Sequence, residues 1–541
     1  MTADNVRNHG GNAYNFIIIF TVALGSFAFG FNAASFGSVM GLPGFFSYYD
    51  ISLIDGGSAS NRILGGKPES LDVFCYESHS LVGDIAANGT YYGGGLIGCL
   101  FAAWLADKYG RIRNLQITCA ICVVGAIIQS ASVHMAMFLV GRTIGGAGSG
   151  MIVVSVPIYQ SEVSPAAQRG RMVGQHGFLL VAGYAVAGWS GFGCYFQANP
   201  QIQWRLLLAL QVVAPLALIV ASPWVPESPR WLVHKAKDDR AMDILKKLHH
   251  TSEDVNDLMA REEYYQIHAQ IEYERTKPNN LWAMFKVPSY RRRLVISWCL
   301  QFLAQSTGCV VVANYQVLLY NNLGLHNSIP LLLAAVYLSW AAGCNLFAAM
   351  VVDRWGRILM ITVGVFGCLV TLSCTTAMIA CFAGTDNKVG NGFGVFFIFA
   401  LVGFYGSCID ANSFIYCTEI FPTHARAQGL SFAFTGYLVA AIIYNEVAPT
   451  AFANVGYKFF FLFIALMIVG LPLFWYYSPE TKGLTLEEIA TLFGDEVLID
   501  LSNMTAEERD RLDQELMKSE GPDFIKEKTL VISEEREYKG A

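Results

Sequence analysis

Charge is what this chain has least of. Only 14% of its 541 residues are Asp, Glu, Lys or Arg, against about 25% in a soluble domain, whereas 54% are hydrophobic and 13% aromatic. Water is therefore not the main solvent. The net charge is −6, and much of the acidity lies in the tail (Glu487, Glu488, Asp495, Glu496, Glu507, Glu508). With no basic patch, a nucleic acid is excluded as partner. The 13 cysteines form no Cys/His cluster with metal spacing. The one close pair, Cys119 and Cys122, sits in an apolar stretch with no second pair. No phosphate-cradling glycine loop follows a strand, so neither an enzyme nor a nucleotide-driven pump is expected, and neither is a cofactor or metal.

What is abundant is hydrophobic length. About twelve apolar stretches, near 14–38, 88–107, 115–133, 136–159, 172–192, 204–223, 294–322, 329–352, 358–381, 392–417, 427–449 and 456–477, mostly reach the roughly 20 residues that cross a bilayer. Lipid offers the backbone no partners, so these are helices and the fold class is an all-α membrane protein. The first stretch runs past Asn32 through glycines with no cleavage pattern and is a span rather than a signal peptide. Lys108, Arg111 and Arg113, Arg169 and Arg171, Arg354 and Arg357, and Arg426 all fall in short loops on one side. That side is expected to be cytoplasmic, with both termini.

Three polar segments divide the chain. Residues 1–225 form an N-terminal six-helix bundle with an outer loop at 45–86; 226–293 form a cytoplasmic helical linker; 294–478 form the second bundle; 479–541 form a cytoplasmic tail. Within the linker, 238–248 and 262–274 have the pattern of surface helices. The sequon Asn88-Gly-Thr90 falls at the mouth of the second span, where a sugar would meet the membrane, and the one at Asn503 is in the tail. Most cysteines read as small packing residues. Cys75 and Cys194, on outer loops, could join in an oxidising exterior, with Cys381 as competing partner.

The few charges are written twice, roughly 250 positions apart. Asp107 opens DKYGRIR and Asp353 opens DRWGRI; Glu162 and Glu419 end the fourth and tenth spans; Arg169 and Arg426 follow them; Glu227 lies in PESPRWL and Glu480 in PETKG. One six-helix unit has been used twice in parallel. Charges at span ends are expensive to leave alone, so Asp107, Arg111, Glu162, Arg169, Asp353, Arg357, Glu419 and Arg426 are expected to pair, with Glu227 and Glu480 latching onto the clusters. Pairs that form and part with the inner helix ends would bias a two-state machine; the alternative is that they anchor loops to headgroups. The glycines of GGAGSG lie inside a span, where small residues permit close packing.

In combination, PESPRWL, PETKG, GRTIGGAGSGMIVVSVPIYQSEVSPAAQRG, DKYGRIR and DRWGRI resemble the sugar porter family of the major facilitator superfamily across residues 14 to 490. The resemblance implies twelve helices in two bundles and a central cavity opening alternately to each side. It also implies a sugar or polyol as cargo and the plasma membrane as location. In the seventh span, Gln301, Gln305, Asn314 and Tyr315 match its polar or aromatic positions and are expected to bind substrate. Other matching positions have changed: Ala304, Val310, Gly177, Phe414 and Leu438 replace amides or aromatics. An ordinary hexose would lose several hydrogen bonds there, each worth roughly 0.5–1.5 kcal/mol.

New polar groups stand nearby. Asp410 lies about 13 Å deeper than Glu419 at the helical rise, where an acid is a functional candidate by default. It would bind a hydroxylated or cationic cargo or carry a proton, or else be a protonated or amide-paired packing residue, with Asn412 or another neighbour satisfying it. His176 is either a ligand or proton carrier, or a satisfied core group. Tyr91, Tyr92 and Tyr437 either line the cavity or pack. The family's proton symporters carry Asp where this chain has Asn32, and an amide cannot titrate, so Asn32 resembles the uniporters. The expected function is alternating-access transport of a sugar or sugar-like hydroxylated molecule, with facilitated diffusion favoured over proton symport. A same-fold carrier of a polyol, hydroxy-acid or secreted metabolite is the alternative, and a nutrient sensor a more remote one. The expected partners are that small molecule, the lipid bilayer and, if coupled, protons.

Overall fold

The structure is a computed structural model, and it describes the backbone of residues 13–49, 74–164, 169–249, 257–274, 281–322, 327–382, 387–482, 484, 489 and 491–494. Among these, every regular element is helical. The first half holds α1 (Ala13–Val39), α2 (Phe74–Tyr109), α3 (Arg111–Ser130), α4 (Met135–Val163), α5 (Arg169–Tyr195) and α6 (Pro200–Trp224). The second holds α7 (Pro288–Asn321), α8 (Ile329–Trp355), α9 (Arg357–Phe382), α10 (Lys388–Glu419), α11 (Thr423–Val455) and α12 (Gly456–Tyr477). Eleven of these segments are long and apolar enough to cross a membrane. The twelfth, α2, has the length, but its glycines, alanines and polar N-terminal turns dilute its apolarity.

Three spans are broken where polarity is needed. A 3₁₀ turn interrupts α6 at Leu210–Val212, Ser306–Gly308 divides α7, and a π-turn at Tyr405–Asp410 interrupts α10. Such breaks are tolerated in a bilayer only where protein or a cavity surrounds them.

Within the first half α2 packs on α4, α1 on α5 and α3 on α4; within the second α9 packs on α10 and α7 on α11. The halves join through α5 against α8 and α2 against α11. Lipid supplies no hydrophobic drive between helices, so the seams rely on close backbone approach. On α2, a Cβ at Gly94 or Gly98 would fall 2.1 and 2.0 Å from the carbonyls of Thr143 and Ala147. On α4, a Cβ at Gly146 or Gly150 would fall 2.0 Å from those of Tyr91 and Gly95. These glycines, four apart on both helices, fit into each other's backbone.

The duplicated turn is also a glycine device. Gly110, between α2 and α3, has φ 98°, and Gly356, between α8 and α9, has φ 94°, a left-handed conformation that side chains resist. A Cβ there would also sit 2.5 Å from Glu227 Oε2 or 3.0 Å from Glu480 Oε2. Glycine thus gives both the turn and the room for a carboxylate.

The linker forms helices Pro229–His234, Asp238–His249, Leu258–Glu274 and Leu281–Lys286, the first three packed through Leu232, Leu245, Tyr264 and Ile267. Helix α7 begins at Pro288, inside the segment read as the linker; proline is well placed in a helix's first turn. Next to and within the segment read as the outer loop, Pro43–Tyr48 is helical and α2 starts at Phe74. Phe45 from that short helix packs against Phe36, Phe138 and Trp204. Cys194 is buried in the same cluster as a free thiol, and Cys381 is free as well; the side chain of Cys75 lies outside the described residues. Asn88 is only 3% exposed within α2, so its sequon is shut away. Asn503 lies outside the described residues.

Candidate functional site

Two charged clusters mark the basic end of the molecule. In the first half Arg111 holds Glu162 with a fork: Nη2 lies 2.8 Å from Oε1 and Nε donates to Oε2 at 3.0 Å, while Nη1 meets Asp107 at 3.1 Å. Glu227 accepts the backbone N–H of Arg111 at 2.8 Å and that of Ile112. Burial pushes the Glu227 carboxyl above its usual range, against the pull of these N–H groups. The second half repeats the fork and the carboxylate that accepts the turn's N–H groups. Arg357 forks Glu419 at 2.8 and 3.1 Å, and Glu480 accepts the N–H groups of Arg357 and Ile358, each at 2.9 Å. Even Tyr159 and Tyr416 correspond, each donating its hydroxyl to a proline carbonyl, Pro226 and Pro479.

Each cluster ties together elements of its own half: a turn, a span end and the segment that follows the bundle. Arg426 is buried with Nη2 donating to the Phe421 carbonyl at 3.4 Å. The side chains of Arg169 and Asp353 lie outside the described residues. Across the halves at this end, Cys99 of α2 donates to the Ser431 carbonyl of α11 at 3.2 Å, and Ser431 donates back to the Cys99 carbonyl.

Between the halves lies a cavity with about 980 Å³ of space not filled by atoms, its open mouth included. The breaks in α7 and α10 place polar groups on its wall. Of the expected ligands, Gln305, Asn314 and Asp410 line it. Gln305 donates to the Tyr405 hydroxyl at 3.2 Å, and Asn314 donates to Asn445 Oδ1 at 2.7 Å. Asp410 Oδ2 accepts from Asn345 Nδ2 at 3.1 Å, so the neighbouring amide is Asn345 rather than Asn412, which donates to the Arg357 carbonyl at 2.9 Å.

The other four stand behind the wall. Gln301 is fully buried, its amide 3.5 Å from Cys417 Sγ. Tyr315 donates to the Asn445 carbonyl at 3.0 Å. Asn32 donates to Ser149 at 3.1 Å. His176 is 1% exposed, 2.6 Å from Ser26 Oγ, with its ring 5.4 Å from that of Phe414. Gln301 and Gln305 both precede the break at Ser306–Gly308, and Asn314 and Tyr315 follow it; of each pair one side chain lines the cavity.

Of the altered positions, Val310 and Phe414 line the cavity; Leu438 packs toward Gly95. At Gly177 a Cβ would meet Ala411 Cβ at 2.9 Å, so a longer side chain has no room there. Tyr92 and Tyr437 line the wall, and Tyr91 stacks edge-on against Tyr92 behind it.

Wall residues that the sequence reading passed over include Tyr337, Asn345 and Tyr405. Tyr337, Ala341 and Asn345 all line the cavity at a spacing of four on α8. Arg142 was also passed over. It is fully buried, reaches the carbonyls of Ala87 and Asn32 at 3.3 and 3.5 Å, and lies over the rings of Tyr91 and Phe36 at 4.3 and 5.0 Å. An arginine inside a bilayer is affordable under such carbonyl and ring contacts.

Comparison with known proteins agrees with this architecture. The family model "Sugar (and other) transporter" matches residues 18–493. The MFS-type transporter criB of Aspergillus cristatus is 32% identical over 480 residues, covering 88% of this chain and 96% of that protein. The H(+)/hexose cotransporter 1 of Parachlorella kessleri is 29% identical over 406 residues, covering 74% of each. Among solved structures, the proton:xylose symporter XylE of E. coli shares the fold with a TM-score of 0.70 at 22% identity, covering 89% of this chain and 99% of that one. The chain belongs to the sugar transporter family of the major facilitator superfamily.

Proposed function

We propose that this transporter carries a sugar or sugar-like hydroxylated small molecule by alternating access of its two halves, by facilitated diffusion rather than proton symport. The observation that carries this reading is the cavity at the interface of the halves, whose wall offers the amides Gln305, Asn314 and Asn345 among tyrosines and small apolar residues. A sugar needs that mixture, with donors and acceptors for its hydroxyls and apolar surface for its ring faces. The halves touch on both sides of the cavity. At the basic end they meet through Cys99 and Ser431. At the opposite end, a Cβ on Gly41 would fall 2.5 Å from Leu331, and one on Gly89 would fall 1.7 Å from Glu446 Oε1. Parting one contact set while the other holds exposes the cavity to one side at a time. The charged clusters keep each half's basic end rigid during that motion. The concentration of basic residues at this end supports a cytoplasmic assignment for it, with both termini, in the plasma membrane.

The test is uptake of labelled hexoses, pentoses, disaccharides, polyols and hydroxy-acids in transporter-deficient cells. Gln305→Ala is expected to lower transport of the accepted cargo by about twofold to tenfold, the value of one hydrogen bond, and Asp410→Asn is expected to change it as well. If neither substitution alters transport of any accepted cargo, the cavity assignment fails. A hydroxy-acid is the poorest candidate in the panel, because its carboxylate would face Asp410.

Uniport rests on Asn32, an amide held by Ser149, which has no proton to exchange. Adding cargo is expected to leave cytosolic pH unchanged. A proton influx in fixed ratio to cargo overturns the uniport reading and points to Asp410 as the carrier.

A further inference from the structure

A neutral polyol leaves one wall residue without a purpose. Asp410 ends the π-turn of α10, yet its side chain does not cap the helix Ala411–Glu419 that follows. The one described hydrogen-bond partner of its carboxylate is Asn345, whose Nδ2 also donates to the Ala341 carbonyl at 3.2 Å. No described ion pair includes Asp410, and the wall of the cavity contains no Lys, Arg or His. A carboxylate placed there is costly unless something pairs with it, and among the described residues it meets the Asn345 amide but no cation.

The rest of the wall indicates what pairs with it. Tyr92, Tyr184, Tyr337, Tyr405, Tyr437 and Phe414 surround the same space. Aromatic faces carry negative quadrupole charge and attract cations, most of all ammonium groups held away from water. One carboxylate facing a ring-lined, cation-free cavity has the composition of a site for an organic cation. Hydroxyls on the same molecule would be met by Gln305, Asn314 and the tyrosine hydroxyls.

We propose that the cargo is a hydroxylated molecule bearing a protonated amine, with Asp410 as its counterion. This rests on the preceding reading for the location of the site and narrows its substrate class. The amine's charge-assisted hydrogen bonds to the carboxylate replace the water that both groups give up. Neutral sugars lack that contact, and anionic cargo is repelled.

The experiment measures binding to the purified full-length protein in nanodiscs at a pH where amino sugars are protonated. The probes are D-glucosamine, N-acetyl-D-glucosamine, D-glucose and tyramine. D-Glucosamine is expected to bind about tenfold to a hundredfold tighter than D-glucose, the value of a hydrogen bond to a charged group. N-Acetylation, which removes the charge and keeps the ring, is expected to abolish that advantage. The ratio of D-glucosamine to D-glucose affinity should collapse toward one in Asp410→Asn and persist in Asp410→Glu; unchanged unfolding midpoints for both variants exclude misfolding. Equal affinities in the parent, or a preference that survives in Asp410→Asn, overturn the inference and leave the sugar reading standing. Binding of tyramine and D-glucosamine without D-glucose upholds the inference and removes neutral sugars from the preceding reading. Silence from all four probes overturns both.

Discussion

Gly150→Ala is expected to remove most of the folded transporter, whereas Gly93→Ala is expected to be harmless or slightly stabilising. The chemical change is the same in both: one methyl group in the middle of a helix, where alanine is ordinarily favoured over glycine by roughly 0.5–1 kcal/mol. The surroundings decide the sign. At Gly93 on α2 nothing lies within 4 Å of the added Cβ. At Gly150 on α4 the Cβ would fall 2.0 Å from the Gly95 carbonyl oxygen and 2.7 Å from its carbon. Those are backbone atoms within a helix and cannot swing aside. Separating α2 from α4 would relieve the clash, but it would also withdraw Gly94, Gly98 and Gly146 from their own close contacts. Overpacking of this kind costs on the order of 3 kcal/mol or more, against a total stability of about 5–15 kcal/mol. The measurement is the yield of monodisperse protein on size exclusion in detergent, with both variants expressed alongside the parent. Equal yields for the two variants would show that the α2–α4 seam is not set by these glycines.

Arg357→Ala is expected to lower the thermal unfolding midpoint by more than about 5 °C, and Asp107→Asn by less than about 2 °C. Both break an ion pair at the basic end, but in different dielectric surroundings. The side chains of Arg357 and Glu419 are 7% and 18% exposed and meet in a fork. Losing the guanidinium removes both prongs of the fork from a carboxylate that also accepts from the Thr481 hydroxyl at 2.7 Å. Breaking a buried pair by removing one partner costs about 3–5 kcal/mol. Asp107 is 53% exposed, so water replaces what it loses, and the pair is worth about 0–1 kcal/mol. Arg111→Ala should behave like Arg357→Ala, since Arg111 and Glu162 are 11% and 6% exposed. A loss in Asp107→Asn as large as in Arg357→Ala would sink the ranking by burial. The same variant probes the contact between halves: if the rigid basic end keeps Cys99 against Ser431, labelling of Cys99 by a membrane-permeant maleimide should rise in Arg357→Ala, with exposed Cys299 and Cys381 replaced by Ser.

The architecture was legible because the bilayer leaves a chain so few choices. Apolar stretches of spanning length must be helices. Charges so costly in lipid repeat only where they pair, and the duplicated Asp, Arg and Glu positions gave the two halves and their clusters before any coordinate was known. The glycines of GGAGSG likewise announced close packing, and Gly146 and Gly150 provide it.

The cavity was only partly legible. A soluble helix shows its buried face by alternating apolar and polar stripes; a membrane helix is apolar on the lipid side and the packed side alike, so periodicity does not say which face looks inward. Gln301 and Gln305 are one turn apart in sequence, yet one is buried behind the wall and the other lines it. Asp410 was visible as an acid out of place, but its partner was not, because Asn345 comes from a helix 65 positions away. By itself the sequence determined the helical spans, the repeat and the charges at the span ends, each dictated by local solvation cost. The tertiary structure alone decided which polar groups face the cavity, because that depends on where α7 and α10 break and on how the two halves turn toward each other.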